Sequence, residues 1–120
     1  MWWGTAMEAP DPGALAAFYS QLLDRPVVHA EPGTSVVAVT EATYLVFQAA
    51  DGYVPPVWPP VEGQQRTMMH FDFQVGDLDA AVEDAVVLGA TVSAYQPQEH
   101  VRVLLDPAGH PFCLCLDTEE

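Results

Sequence analysis

The chain has no lysine and only three arginines, Arg25, Arg66 and Arg102, against 17 acidic residues. A net charge of −14 repels phosphate backbones and anionic bilayers, so nucleic acid and membrane surfaces are poor partners. The plain reading of that charge is solubility. Cysteine is scarce too: Cys113 and Cys115 are the only two, separated by one residue. On a strand they share a face and are badly placed to bond each other, so a reduced, cytoplasmic protein is expected. No run approaches the roughly 20 apolar residues of a membrane span. The N-terminus lacks a basic region followed by an apolar run, so no secretory leader is expected. Apolar residues are not lacking. They make up 50% of the 120 residues, enough for one domain, 1–120, with a real core, and too many for a disordered chain.

The apolar residues are periodic. Trp2 to Ala9 reads as a strand, and Asp11-Pro12 as a helix N-cap followed by proline in the first helical position. Leu15, Phe18, Tyr19, Leu22 and Leu23 then follow the spacing of a core-facing helix, which Pro26 ends. Val27–His29, Ser35–Val39 and Thr43–Gln48 are strand-like. A proline-rich connector over 53–65 holds Pro55, Pro56, Trp58, Pro59 and Pro60. Beyond it, Met68–Val75 reads as a strand and Asp77 as the cap of a second helix. That helix has an apolar stripe of Leu78, Val82, Ala85, Val86 and Leu88, and Gly89 closes it. Thr91–Tyr95, Val101–Leu105 and Pro111–Leu116 read as three more strands, with Asp106-Pro107-Ala108-Gly109 as a turn.

Each half is therefore strand, helix and three strands: module one over about 1–52, module two over 66–120. The spacing from Asp11 to Asp77 equals that from Gly4 to His70, which makes the halves repeats of one unit. Helices gathered on one side of mainly antiparallel strands make an α+β fold.

Two tandem βαβββ modules with these motifs resemble the vicinal oxygen chelate superfamily, which includes glyoxalase I, extradiol dioxygenases and bleomycin-resistance proteins. The resemblance rests on Asp11-Pro12 through Phe18-Tyr19, His70-Phe71-Asp72-Phe73 leading to Asp77-Leu78-Asp79-Ala80-Ala81, Leu88-Gly89-Ala90, and Asp106 through Phe112. The connector Tyr53 to Pro59 is similar to that of actinobacterial glyoxalase-like domains. The resemblance implies a curved, mainly antiparallel open barrel with helices outside and a ligand in the cleft. Metal-dependent members take one His or Gln from the first strand of each module and one Glu from the last. By position these fall at Gly4, His70, Leu45 and Cys113. Three of the four depart from the pattern, so no metal cofactor is expected; a divalent ion in an altered site is the alternative.

His70 stands out as a cleft-facing ligand, base or hydrogen-bonding group, or as a histidine kept from a metal-binding ancestor and satisfied by its neighbours. Asp72, two residues on, shares its strand face. It can orient the imidazole for proton transfer or simply satisfy a nearby group. Cys113 and Cys115 are read as packing residues before they are read as soft ligands. His29, His100 and His110 are given no role. Trp3, Phe47, Trp58 and Phe71, with His70 and Cys113, are the expected ligand contacts. The aromatic faces suit a flat or apolar small molecule, though much of the aromatic set must be core. Trp58 is open between cleft wall, core plug and interface anchor.

The expected function is binding or sequestration of a small, partly hydrophobic ligand by a homodimer, without a metal. The rival is a lyase, an isomerase or a biosynthetic enzyme acting on a carbonyl compound, with His70 and Asp72 as its catalytic pair or a metal in an altered site. A purely partner-binding domain is the third class. A dioxygenase is disfavoured, because non-haem iron wants two histidines and a carboxylate.

Overall fold

The computed structural model describes residues 1–116 and resolves into two compact units, Met1–Tyr53 and Val54 onward. The last four residues of the expected second module, 117–120, lie outside the described residues.

Unit one runs β1 (Gly4–Ala9), α1 (Pro12–Leu23), β2 (Val27–Glu31), β3 (Thr34–Ala38) and β4 (Tyr44–Ala49). Its sheet order is β1-β4-β3-β2, with β1 parallel to β4 and the other pairs antiparallel. The parallel pair follows from the crossover through α1, since a tight hairpin can join only antiparallel strands. Asp11 caps α1 by accepting the Ala14 N–H at 3.1 Å, and Pro12 opens the first turn. Asp24 closes it in the left-handed conformation, at φ 53°. The predicted stripe meets the sheet: Leu15, Phe18 and Tyr19 are buried, and the Tyr19 ring stacks on Phe47 at 5.6 Å. Leu45 and Phe47 therefore lie on the helix-covered face of β4. Burying each such side chain contributes about 1.5–3 kcal/mol.

Unit two runs β5 (Phe71–Val75), α2 (Leu78–Leu88), β6 (Thr91–Val92), β7 (Val101–Leu105) and β8 (Pro111–Leu116). Its order β5-β8-β7-β6 repeats the topology of unit one, again with one parallel pair, β5 and β8. The sheets are thus mixed with an antiparallel majority, and two tandem βαβββ modules of an α+β fold are present as expected. Phe73 meets Phe112 edge to face at 6.1 Å, and Phe112, Leu104 and Leu114 are buried. The connector belongs with this unit. Its Pro55 lies against Gly109, whose φ of 91° suits the Asp106–Gly109 turn. Asp106 is buried and accepts the N–H groups of Ala108 and His110 at 2.9 and 3.0 Å, which fixes that turn before β8.

Three elements differ from expectation; the first is the strand expected over Met68–Val75, which begins at Phe71 and leaves His70 just before it. The strand predicted over Thr91–Tyr95 stops at Val92. Ser93 Oγ donates to the Tyr95 carbonyl and accepts the Tyr95 N–H, so the chain turns. The Gln96 side chain then takes a strand's place beside β7, donating to the Val103 carbonyl at 2.9 Å and accepting the Val103 N–H at 2.8 Å. In α2, Ala85 is the one fully buried residue, while Val86 is exposed despite its place in the predicted stripe.

Candidate functional site

The polar face of unit two starts from strand alternation. Phe71 and Phe73 pair in register with Phe112 and Leu114, which are buried, so this set forms the apolar face. Asp72 and Gln74 pair with Cys113 and Cys115 and point to the opposite side. His70 immediately precedes β5 and joins that side: its Nε2 lies 3.3 Å from Asp72 Oδ1. Ligating atoms of His70, Asp72 and Cys113 all lie within 4.8 Å of one another. His70 and Asp72 are about half exposed, whereas Cys113 is partly buried between Asp72 on β5 and the buried Val103 on β7.

That position governs the thiol. Burial pushes Cys113 from 9.0 up to about 12, and the Asp72 charge and a hydrogen bond to Asp72 push the same way. Cys115 is raised for the same two leading reasons, burial and then Asp72. At neutral pH both are thiols rather than thiolates, so neither is an activated nucleophile. Cys113 can donate to Asp72 while Asp72 also faces His70, giving a compact cluster of three polar groups, one just before β5, one on β5 and one on β8.

Of the other expected contacts, Trp3 is exposed and stacks on Tyr44 at 4.5 Å in unit one. Trp58 approaches Tyr95 at 6.1 Å, with its indole N–H buried and without a hydrogen-bond partner among the described residues. Phe47 and Phe71 are corrected. Phe47 is fully buried beneath Tyr19 of α1, and Phe71 shares the apolar side of its sheet with Phe112. Alternation puts Phe71 on the face of its sheet opposite to Asp72 and Cys113, and Phe47 on the helix-covered face of its own sheet. Gln74 was missed, although the same alternation that linked His70 to Asp72 would have found it.

The repeat register corrects one more position. Cys113 pairs with Asp72, two residues after His70, and the matching residue in unit one pairs with Ala6, two residues after Gly4. That residue is Val46; Leu45 corresponds to buried Phe112.

A family model described as a glyoxalase-like domain matches residues 4–115. The chain belongs to the glyoxalase-like domain family. No curated protein matches it in sequence. Among solved structures, this glyoxalase-like domain is similar to a glyoxalase/bleomycin resistance protein/dioxygenase family enzyme from Burkholderia phytofirmans PsJN. The two share 21% identity at TM-score 0.71, over 95% of this chain and 96% of that one. It is also similar to the fosfomycin resistance protein FosX from Mesorhizobium loti, at 16% identity and TM-score 0.68, over 98% and 92%. A FosX variant from Listeria monocytogenes, at 13% identity and TM-score 0.71 over 96% and 88%, was solved with manganese(II) and 1S,2S-dihydroxypropylphosphonic acid. These likenesses show a shared fold.

The two-module metal arrangement that the family resemblance implies does not fit the residues of this glyoxalase-like domain. Val46 is apolar. Gly4 is closed to any side chain, because a Cβ there would fall against the Tyr44 carbonyl oxygen on the paired strand. Unit one therefore offers no donor at either matching position.

Proposed function

We propose that this glyoxalase-like domain binds a small, partly hydrophobic ligand on the polar face of β5 and β8, without the two-module metal centre. The observation that supports this most is the convergence of His70, Asp72 and Cys113 in module two, set against the closed position at Gly4. The imidazole and the thiol can donate to a carbonyl or phenolic oxygen, and the carboxylate can accept from a ligand hydroxyl. Sequestration needs no more than this.

The neutral naphthalene fluorophore prodan tests the reading, since it carries a carbonyl oxygen and avoids repulsion by the −14 charge. Saturable fluorescence enhancement is expected, weakened at least threefold by His70→Ala. Unchanged affinity in His70→Ala, with the fold intact by circular dichroism, contradicts the reading.

A second reading is supported by the 3.3 Å approach of His70 to Asp72. In it the carboxylate fixes the imidazole orientation while the free ring nitrogen moves a proton on a carbonyl compound. Its mark is turnover that Asp72→Asn slows far more than it weakens binding.

A further inference from the structure

The sequence expectation of no metal rested on a ligand set drawn from both modules. The folded chain offers a different set on one sheet. Asp72 and Cys113 are register partners on adjacent parallel strands, so the backbone fixes their side chains roughly one strand spacing apart, about 4.8 Å. His70 adds an imidazole on the same side, already at 3.3 Å from Asp72. Three donor atoms within 4.8 Å need only small side-chain rotations to reach the roughly 3.4–3.8 Å separations that tetrahedral zinc–nitrogen, –oxygen and –sulfur bonds impose.

We propose that His70, Asp72 and Cys113 bind one thiophilic divalent cation of the zinc type on module two alone, leaving a fourth position open. The donor set decides the class of ion. A thiolate with an imidazole and a carboxylate suits a borderline-soft metal such as zinc or cobalt(II), whereas magnesium and calcium want oxygen donors only. Three protein ligands with one open position are the pattern of reactive rather than closed structural zinc sites. Binding requires Cys113 to release its thiol proton to solvent, so one proton leaves per ion bound and the sulfur–metal bond replaces the thiol's hydrogen bond to Asp72. The strongly negative chain draws cations to its surface. This inference goes beyond the ligand-binding reading and is tested separately, because the probe is the metal alone.

The test is a cobalt(II) titration of the chelator-stripped full-length protein, followed by absorption. One equivalent is expected to bind, with a near-ultraviolet thiolate-to-cobalt charge-transfer band, tetrahedral visible bands and displacement by zinc. Cys113→Ser should abolish the charge-transfer band and His70→Ala should weaken binding at least tenfold. Cys115→Ser, on the same strand face, should leave both unchanged. Binding without a charge-transfer band, or equal binding by wild type, His70→Ala and Cys113→Ser, identifies diffuse acidic-surface association and overturns the proposal. So does the absence of binding to wild type. Circular dichroism of the metal-free variants separates lost ligation from lost folding.

Discussion

At the scale of single residues, Asp72 neighbours both His70 and Cys113, and it helps hold the Cys113 thiol protonated. Replacing it with asparagine removes the nearby charge but leaves the burial, which is the larger cause. Asp72→Asn in metal-free protein should therefore speed alkylation of Cys113 by iodoacetamide at pH 8, while alkylation stays slower than for an exposed thiol. Cys113 itself sets an alkaline limit to stability. Because the folded pKa of Cys113 lies near 12 and its ordinary value is 9.0, the folded chain keeps a proton that the unfolded chain gives up. This stabilisation is full below pH 9 and is lost as pH rises towards 12. Thermal melts from pH 8 to 11 should fall more steeply for metal-free wild type than for Cys113→Ser. Gly4 acts by having no side chain: Gly4→His should not create a metal ligand but should force β1 from β4, destabilising the chain by at least ~1–3 kcal/mol in urea denaturation.

Secondary elements carry the contrast between the two faces of each sheet. Phe47→Ala should cost about 3–5 kcal/mol, because Phe47 is fully buried beneath Tyr19. Helix boundaries were legible in the sequence because Asp11, Asp77 and Gly89 have local jobs: two side chains cap N-terminal amides and one residue takes a positive φ. The end of β6 was not legible. It depends on Gln96 bonding both backbone groups of Val103, a pairing between residues that no periodicity links. Gln96→Ala should cost about 1–3 kcal/mol by leaving the Val103 N–H unpaired, while the Val103 carbonyl keeps the Ser93 N–H. The face of Phe71 was legible in principle, since it alternates with His70 and Asp72. Treating an aromatic residue beside His70 as a ligand contact overrode that alternation. The Leu45 position failed differently: the turn lengths differ between modules, so only strand register identifies Val46.

For the whole molecule, tandem βαβββ repetition made the fold readable from 120 residues, and the glyoxalase-like domain match over residues 4–115 agrees with it. The repeat has drifted unequally. Module one keeps a full core but places Gly4 and Val46 where module two has His70 and Cys113. Among the described residues, no helix is long and apolar enough to cross a membrane. On the proposed reading, ligand chemistry belongs to module two. Amide chemical-shift mapping of the 15N-labelled protein, titrated with prodan, checks that placement. The largest shifts are expected on His70, Asp72, Gln74 and Cys113; shifts centred on Gly4, Tyr44 and Val46 would overturn the assignment to module two.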